Sequence, residues 1–256
     1  MGYVLITGAS EGIGKAIARR AAQDGRDLIL SARSEDKLEA LATELRQTGR
    51  DVHVVIADLN AANGATRLWT KATQIGPIDV LVNNAGLGIN GPFLKTDTAR
   101  EEATAQVNMI ALTQLMKAGV QHMEQNGGGK ILNVSSTAAF MPGPQMAVYH
   151  ASKSYVLSLS EAVAQELAGS SISVSVLCPG PTATEFFKDA DMKDVRLLKL
   201  SLSMTAEDVA DAGWSGMLRG KRVIVPGFMN KVFAFMPRFT PRGLLTWVVA
   251  QFYVRS

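Results

Sequence analysis

A tyrosine and a lysine stand four positions apart in the stretch VYHASKSY (148–155), as Tyr149 and Lys153. On a helix this spacing makes them neighbours on one face. A free tyrosine, with a pKa of about 10, is a poor acid–base at neutral pH. A cation a few ångström away favours the phenolate, and at an effective dielectric near 20 the pair is worth roughly 4 kcal/mol. Lys153 is therefore expected to lower the pKa of Tyr149 by up to ~3 units, before desolvation raises it again.

The two residues beside this pair are expected to do other things. Tyr155 lies two positions from Lys153, so its side chain points elsewhere, into the core or an interface. His150 follows Tyr149 directly but faces about 100° away on a helix, which favours packing at an interface or the surface over a proton relay. A surface Tyr–Lys pair without a role is the alternative for Tyr149 and Lys153, because the spacing alone often occurs by chance.

A glycine-rich stretch near the start could bind phosphate. In TGASEGIG (7–14), Gly8, Gly12 and Gly14 lie between a strand pattern and the start of a helix pattern. Glycines there allow a tight turn and a close approach of backbone to a pyrophosphate. The helix N-terminus adds free N–H groups and partial positive charge. An ordinary turn between strand and helix is the alternative.

The elements that must position these residues alternate along the chain. Apolar runs of strand length, rich in Val and Ile, predict a parallel sheet buried under helices; they are YVLIT (3–7), DLILSA (27–32), VHVVIA (52–57), IDVLVN (78–83), KILNVS (130–135), SVSVLC (173–178) and RVIVPG (222–227). Helix patterns lie between them, several closing on glycines expected to be left-handed: Gly25, Gly49, Gly76, Gly127 and Gly220. Asp97 and Thr205 are predicted N-caps. This alternation predicts an α/β fold with a doubly wound sheet and helices on both faces, in one domain.

Three motifs in order along the chain resemble those of the classical short-chain dehydrogenase/reductases. They are the TGxxxGxG loop, the NNAG stretch from Asn83 to Gly86, and the YxxxK pair of Tyr149 and Lys153. The resemblance covers residues 3 to about 227. It implies a Rossmann-type sheet of about seven parallel strands that binds NAD or NADP. We therefore expect a catalytic region over 1–227 and an apolar, basic C-terminal extension of the same domain over 228–256.

The resemblance also implies which residues bind the cofactor. Asp58 corresponds to the residue that contacts the adenine, although it could instead be a helix N-cap in ADLN. The NNAG turn flanks the adenosine ribose and steadies the central strand, and Thr182 and Thr184 in PGPTATE hold the nicotinamide carboxamide. The predicted set is Gly8, Ser10, Glu11, Gly12, Ile13, Gly14, Arg33, Ser34, Asp58, Leu59, Asn84, Ala85, Gly86, Tyr149, Lys153, Pro179, Gly180, Thr182 and Thr184.

By the same resemblance the catalytic residues are Ser136, Tyr149, Lys153 and Asn108. Tyr149 would donate the proton to a carbonyl oxygen during hydride transfer, and Ser136, favoured over its neighbour Ser135, would hydrogen-bond that oxygen. Lys153 would hold the nicotinamide ribose. Asn108 would link Lys153 to a relay water, unless it is a structural amide that bends its helix. A buried asparagine in VNMI needs some such partner.

The residues at the end of the second predicted strand indicate which cofactor is preferred. It reads Ser31-Ala32-Arg33-Ser34, where an acidic residue would bind the ribose 2′-hydroxyl of NAD. Arginine instead offers a planar set of donors that suits a 2′-phosphate, and Ser10 and Ser34 could add hydroxyl bonds. Glu35 and Asp36 are expected to begin the next helix. NADP(H) is therefore predicted as the preferred cofactor, with NAD(H) as the second candidate.

The substrate is expected to be a bulky, mostly apolar ketone, aldehyde or alcohol. Three loops that should frame it contain Leu87, Phe93, Phe140, Met141, Pro142, Met146, Phe186, Phe187, Met192, Leu197 and Leu198. A nucleotide-sensing protein on the same fold is the alternative, although such proteins usually lack the tyrosine or the lysine. A sugar-nucleotide epimerase or dehydratase is disfavoured, because the chain lacks both their glycine spacing and their longer substrate domain.

The last part of the chain has a composition of its own. No acidic residue follows Asp211, whereas residues 212–256 carry seven basic ones. Seven of the 16 aromatic residues lie in 228–253, and Pro237 and Pro241 should break this stretch into two short helices. Packing on the core or on a second subunit is the simpler interpretation; contact of 228–256 with a membrane surface, or a membrane-surface binding protein as a rival function, is the other.

The remaining expectations come from composition. One cysteine and three histidines make an internal disulfide impossible and a metal site improbable. We expect neither a secretion signal nor an apolar run of about 18 residues that could cross a membrane. We expect a cytoplasmic homodimer or homotetramer that acts on a small molecule and binds no nucleic acid.

Overall fold

The computed structural model describes residues 2–182, 184–186, 190 and 204–253. Seven parallel strands form one sheet in the order β3-β2-β1-β4-β5-β6-β7. Their bounds are Tyr3–Thr7 (β1), Leu28–Ala32 (β2), Val52–Ile56 (β3), Ile78–Asn83 (β4), Gly129–Val134 (β5), Ile172–Leu177 (β6) and Val223–Ile224 (β7). The predicted doubly wound Rossmann-type sheet of seven strands is therefore confirmed.

Helices connect these strands. Their bounds are Gly12–Gln23 (α1), Glu35–Arg46 (α2), Gly64–Ile75 (α3), Thr98–Ala105 (α4), Leu112–Gln125 (α5), Ala147–Glu166 (α6), Ala206–Leu218 (α7), Phe228–Phe235 (α8) and Arg242–Phe252 (α9). A π-helical turn, Gln106–Ala111, joins α4 to α5, and short 3₁₀ turns lie at Thr137–Phe140 and Met236–Arg238. Within this described part of the chain, no helix is long and apolar enough to cross a membrane.

The strands are apolar on both sides because both faces of the sheet are covered. Along β1, Val4 and Ile6 pack on one face with α1, α2 and α7, while Leu5 packs on the other with α3, α5 and α6. Trp214 of α7 is fully buried in the first of these layers. Because side chains alternate along a strand, each strand contributes to two apolar cores, one on each face of the sheet, and neither face is solvated.

Local sequence signals predicted most helix and strand ends correctly. Asp97 accepts a hydrogen bond from the Arg100 N–H and Thr205 accepts one from the Asp208 N–H, so both N-caps are confirmed. Four of the five helix-ending glycines have left-handed φ angles, but Gly76 is extended at 172°. Glycine is needed there for space, since a Cβ would lie 2.6 Å from the Tyr3 ring.

The seventh strand is shorter than predicted: only Val223–Ile224 pairs with the sheet, because Pro226, which lacks an N–H, and Gly227, at φ 82°, follow it.

The sheet fixes where a ligand can bind. Strand order reverses between β1 and β4, whose carboxyl ends part to leave a crevice. In open α/β sheets, ligands bind at such a switch point. The glycine loop after β1 and the NNAG turn after β4 stand on its two sides, and the YxxxK helix, α6, follows β5 next to them.

Candidate active site

One continuous cavity of about 510 Å³ opens at this edge of the sheet. It is lined by all of the predicted cofactor residues except Gly14, by Ser136, Tyr149 and Lys153 among the predicted catalytic ones, and by six residues of the last two helices and their end: Met229, Asn230, Phe233, Val249, Phe252 and Tyr253. Asn108 does not line it. The residues that the sequence singled out therefore converge on one space, although they come from seven parts of the chain.

The glycine loop leaves a helix end open toward the cavity. Gly8 and Gly12 have left-handed φ angles of 64° and 55°. A Cβ on Gly14 would lie 2.2 Å from the Gly8 carbonyl oxygen, so this glycine lets α1 pack against the loop and stays out of the cavity lining. The N-cap residue of α1, Glu11, makes no side-chain cap, and its carboxylate instead pairs with Lys37 at 2.8 Å. The positive end of α1 thus faces the cavity with its first-turn N–H groups uncapped by a side chain, which suits a phosphate.

The NNAG turn is clasped to this loop. The Asn84 side-chain amide donates to the carbonyl oxygens of Thr7 and Gly8, both at 3.0 Å. In return the Thr7 hydroxyl accepts the Asn84 and Ala85 N–H groups. A Cβ on Gly8 would lie 2.8 Å from the Asn84 amide nitrogen, so only glycine allows this approach. These bonds fix the glycine loop and the NNAG turn, the two walls of the crevice, relative to each other.

At the end of β2, Arg33 and Ser34 are exposed and line the cavity. Within the described residues Arg33 makes no hydrogen bond or ion pair, so its guanidinium is free for a ligand. Ser34 is the N-cap position of α2, but its hydroxyl makes no cap bond. Glu35 and Asp36 lie in the first turn of α2, as predicted, where their charge is favourable near the helix N-terminus.

The other predicted cofactor residues border the same space. Asp58 does not cap α3, which begins at Gly64 after the N-cap residue Asn63; its carboxylate accepts the Asn60 N–H at 2.9 Å within a turn. Beyond β6, Thr182 is buried and donates to the Gly180 carbonyl oxygen at 3.0 Å. Thr184 lies across the cavity from the glycine loop, since a Cβ on Gly12 would come 3.1 Å from its methyl group. Together these groups offer the phosphate, ribose and ring contacts that a dinucleotide needs.

Tyr149 and Ser136 meet at the inner end of the cavity. Ser136 lies two residues beyond β5 as the N-cap of the following 3₁₀ turn, and its hydroxyl accepts the Ala138 N–H at 3.1 Å, which orients it. Ser135, its rival, is buried and donates instead to the Lys153 carbonyl oxygen at 2.8 Å. Tyr149 is half-buried because one side borders the cavity, yet the protein packed around it raises the pKa of its hydroxyl to about 12, against a lowering from the hydrogen bond to Ser136. Tyr149 therefore carries its proton at neutral pH.

Lys153 lies beside them, almost fully out of water. It is 5% exposed, and its ammonium donates to the Val134 carbonyl oxygen at 3.0 Å. Its Nζ lies 5.7 Å from the centre of the Tyr149 ring, which confirms the predicted proximity. Burial lowers the pKa of Lys153 to about 8. The prediction that Lys153 lowers the pKa of Tyr149 was wrong for the protein alone, because burial dominates at both groups and moves their two pKa values apart.

Asn108 supports the site from behind. It sits in the π-helical turn between α4 and α5, a local widening that is common at functional sites. Its side chain accepts the Leu87 N–H at 2.8 Å and donates to the Leu87 carbonyl oxygen and to the Ser152 hydroxyl, both at 2.9 Å. A Cβ on Gly86 would fall 3.4 Å from the Lys153 Nζ and 3.5 Å from the Asn108 Oδ1, so the two polar groups flank the same glycine.

Other predictions about side chains had mixed outcomes. Tyr155, predicted to point into the core or an interface, is instead exposed and shares a hydrogen bond with Thr113 at 2.9 Å, away from the cavity. His150 was expected at an interface or the surface but is buried; it lines the cavity and contacts Tyr253. The signal that could have found Tyr253 is weak, since an aromatic 103 residues away gives no local pattern.

Of the residues predicted to frame the substrate, Leu87, Met141, Met146 and Phe186 line the cavity. Phe93 is 70% exposed and Phe140 packs in the core, so neither does. Pro142 borders a separate pocket. Phe187, Met192, Leu197 and Leu198 lie outside the described residues. The described residues also contain no cluster of His, Cys, Asp or Glu that could hold a metal ion.

Known proteins share this arrangement of sequence and fold. The chain is 37% identical over 187 residues to "Dehydrogenase/reductase SDR family member 4" of Homo sapiens, an alignment that covers 71% of this chain and 66% of the relative. The structure of a short-chain dehydrogenase from Sphingobium yanoikuyae in complex with NADPH superposes with a TM-score of 0.83 at 34% identity, covering 89% of each chain. A bulky-bulky ketone specific alcohol dehydrogenase from Comamonas testosteroni superposes with a TM-score of 0.78 at 28% identity, covering 94% of this chain and 96% of that one.

The model of one protein family matches most of the sequence. The match runs over residues 2–194, through the glycine loop, the NNAG turn, Ser136, Tyr149, Lys153 and the loop after β6. With the fold and the cavity as described, the chain belongs to the short chain dehydrogenase family.

Proposed function

We propose that this protein is an NADP(H)-dependent oxidoreductase that interconverts a bulky, mostly apolar ketone or aldehyde and its alcohol. The observation that carries the proposal is the meeting of Ser136, Tyr149 and Lys153 in a cavity that is also lined by the uncapped N-terminus of α1. A proton donor and a phosphate site in one cleft are what a nicotinamide-dependent reduction needs.

The acid–base role falls to Tyr149. With a pKa near 12 it holds its proton at neutral pH and gives it to the carbonyl oxygen as that oxygen gains negative charge. Ser136, oriented by the Ala138 N–H, donates a hydrogen bond to the same oxygen. NADP(H), when bound, supplies or accepts the hydride at the carbonyl carbon.

Lys153 and Asn108 serve this transfer without touching the carbonyl. The Lys153 ammonium, 5.7 Å from the Tyr149 ring, stabilises the phenolate that forms once the proton has left. It is also placed to hold the nicotinamide ribose. Asn108 fixes the Leu87 backbone and Ser152, and thereby the two segments that flank Lys153. We also propose that Asn108 links Lys153 to a relay water, as the family resemblance implies.

The cofactor would lie along the residues predicted from the sequence. Phosphates would meet the uncapped start of α1 at Gly12 and Ile13, and the adenosine would pass Asp58, Leu59 and the NNAG turn. The nicotinamide would lie between Tyr149 and the loop after β6, with Thr182 and Thr184 on its carboxamide. The guanidinium of Arg33, which has no partner among the described residues, favours a 2′-phosphate, and the similar Sphingobium enzyme is in complex with NADPH.

Substrate class follows from the rest of the lining. Leu87, Met141, Met146 and Phe186 meet Phe233 and Phe252 of the last helices around the reacting end, and these side chains are apolar and large. The similarity to a bulky-bulky ketone specific alcohol dehydrogenase points the same way. We further propose that residues 228–256 belong to the catalytic domain formed by 1–227, and that the enzyme is a cytoplasmic homodimer or homotetramer.

A nucleotide-sensing protein is the rival function. It would bind NADPH without oxidising it, whatever carbonyl compound is offered. The presence of Ser136, Tyr149 and Lys153 together at the cavity, with Asn108 behind them, disfavours it. Monitoring nicotinamide absorbance at 340 nm with a panel of ketones and aldehydes separates the two.

One observation favours an additional membrane contact. The outer faces of α8, α9 and the turn between them expose Phe228 (79%), Phe239 (76%) and Trp247 (63%) together with Phe235 and Leu244. Lys231, Arg238 and Arg242 lie among them, and the segment has no acidic residue. Aromatic and basic side chains on one surface fit anionic lipid headgroups. We propose that this surface rests on such a membrane.

Replacing Tyr149 by Phe removes the proposed proton donor and keeps the ring. We expect turnover to fall at least ~10²-fold, the lower range for general acid–base catalysis. The matched control is Tyr155→Phe, which removes the hydroxyl of the other tyrosine on α6 and should change turnover little. Full activity in Tyr149→Phe, or an equal loss in both variants, would show that Tyr149 is not the acid–base.

Replacing Arg33 by Ala tests cofactor choice. Charge-assisted hydrogen bonds contribute about 1.5–3 kcal/mol, so kcat/KM for NADPH should fall roughly 10- to 100-fold while that for NADH changes little. Arg50→Ala, which removes another exposed arginine that contacts the Gly25 carbonyl oxygen, is the control. A wild-type preference for NADH, or the same NADPH/NADH ratio in Arg33→Ala, would mean that Arg33 does not read the phosphate.

Vesicles of phosphatidylcholine with phosphatidylglycerol test the membrane contact by co-sedimentation. We expect binding at low salt that weakens as salt screens the basic residues. Replacing Phe228, Phe239 and Trp247 together by Ser should remove most of it, whereas Phe93→Ser, which changes an equally exposed phenylalanine elsewhere, should not. Absence of binding at low salt would exclude the contact.

A further inference from the structure

The last two helices turn a second face inward. From α8, Met229, Asn230 and Phe233 line the cavity, and from α9 and its end, Val249, Phe252 and Tyr253 do so. We call residues 228–253 the C-terminal segment. Its inner face lines the same cavity as Tyr149 and Ser136, so the segment forms one wall of the proposed substrate pocket.

The segment is held at its start by a close backbone approach. A Cβ on Gly180 would lie 2.2 Å from the side-chain oxygen of Asn230, so α8 rests directly on the loop after β6. Asn230 is oriented by its bond to the Pro226 carbonyl oxygen at 2.8 Å. This contact fixes α8 but leaves α9, beyond Pro237 and Pro241, to be held by something else.

The second attachment is a buried hydrogen bond between Tyr253 and His150. The His150 Nδ1 lies 2.8 Å from the Met141 carbonyl oxygen, which can only accept, so Nδ1 carries a hydrogen. Burial lowers the pKa of His150, so the ring is neutral and its Nε2 is an acceptor. The Tyr253 hydroxyl, 2.8 Å away, therefore donates to it.

The protein is shaped to keep His150 in this place. The ring is 3% exposed, and a Cβ on Gly143 would come within 2.1 Å of it, so a glycine is required alongside. The His150 and Tyr253 rings meet edge to face at 5.5 Å. Because the His150 ring is held in place and its Nε2 accepts the hydrogen bond from Tyr253, His150 determines where the end of α9 lies.

What this bond positions is a wall next to the reacting group. Tyr253 packs with Leu245, Val249 and Met146 in a cluster against which Tyr149 and Phe186 also lie. Tyr149 stands between Phe186, at 5.3 Å between ring centres, and His150, at 6.2 Å. Movement of α9 would therefore alter the space directly over the Tyr149 ring.

We infer that the Tyr253–His150 hydrogen bond is a latch that fixes α9 as the wall facing Tyr149, and that these two are positioning residues for a large carbonyl substrate. The inference rests on the proposed function for its substrate part only. A carbonyl compound wide enough to touch the wall depends on the latch, because its orientation over Tyr149 is set by that contact. A small aldehyde does not reach the wall and is indifferent to it.

The latch itself is tested without turnover, by hydrogen exchange of the backbone amides of 242–253. Tyr253→Phe keeps the ring and removes the hydrogen bond, leaving the buried His150 Nε2 unpaired, so exchange in this stretch should accelerate about 10-fold or more. Exchange in α1 should not change. Tyr155→Phe, which breaks a tyrosine–threonine bond on another part of α6, is the matched control. Unchanged exchange of 242–253 in Tyr253→Phe overturns the latch.

His150→Phe and the double variant show whether the two residues act as one. If they form one bond, His150→Phe with Tyr253→Phe should exchange no faster than the faster single variant. Additive acceleration would contradict a shared bond. Should His150→Phe fail to fold, as judged by a lost thermal transition, Tyr253→Phe alone decides.

The substrate part is tested with benzophenone as the large probe and butanal as the small one. In Tyr253→Phe we expect kcat/KM to fall about 10-fold for benzophenone, mainly through KM, and by several-fold less for butanal, with the Kd for NADPH unchanged. Equal losses for both probes, or no loss for either, overturn the positioning role. If the wild type reduces neither probe nor any other carbonyl compound, the proposed function fails, and the latch still stands or falls by the exchange measurement.

Discussion

The burial of one ammonium group, that of Lys153, is the constraint on which the site depends. A lysine that is 5% exposed loses most of its hydration, and one bond to the Val134 carbonyl oxygen returns only part of it. The consequence is a pKa of about 8, at which the group is still mostly charged at neutral pH. The protein therefore keeps a cation that is poorly solvated and strongly attracted to any negative charge that develops nearby. Tyr149 is the group at which such a charge can form.

Much of the surrounding structure can be understood as support for that arrangement. Ser135 holds the Lys153 backbone, while Asn108 ties the loop after β4 to Ser152 on the same helix. On the other side of the switch point, Asn84 clasps the glycine loop. These bonds are buried or nearly so, where an unpaired partner would be costly, and they fix positions rather than add much stability. The doubly wound sheet brings all of them to the carboxyl ends of neighbouring strands.

The sequence predicted the sheet well, and the residues predicted to bind the cofactor come together at one cavity, because both predictions rest on local sequence patterns. Strand runs, glycine spacing and N-caps such as Asp97 act over a few residues, and the structure agrees with most of them, the short β7 and the extended Gly76 apart. What depends on distant contacts was missed. The pKa of Tyr149 follows from the protein packed around it, which no spacing reveals. His150 is buried because Tyr253 returns to it from 103 positions away, so helical geometry alone gave the wrong surroundings.

The pH dependence of carbonyl reduction tests the central claim most directly, that a desolvated Lys153 controls proton donation by Tyr149. With Lys153 at a pKa of about 8 and Tyr149 at about 12, kcat/KM for NADPH at saturating ketone should be constant below pH 7 and fall as Lys153 loses its charge, with a midpoint near 8. The residual activity of Lys153→Arg, whose guanidinium does not titrate in this range, should lack that fall. Reduction by the wild type that stays constant to pH 10, as an ordinary hydrated lysine would allow, would contradict the account.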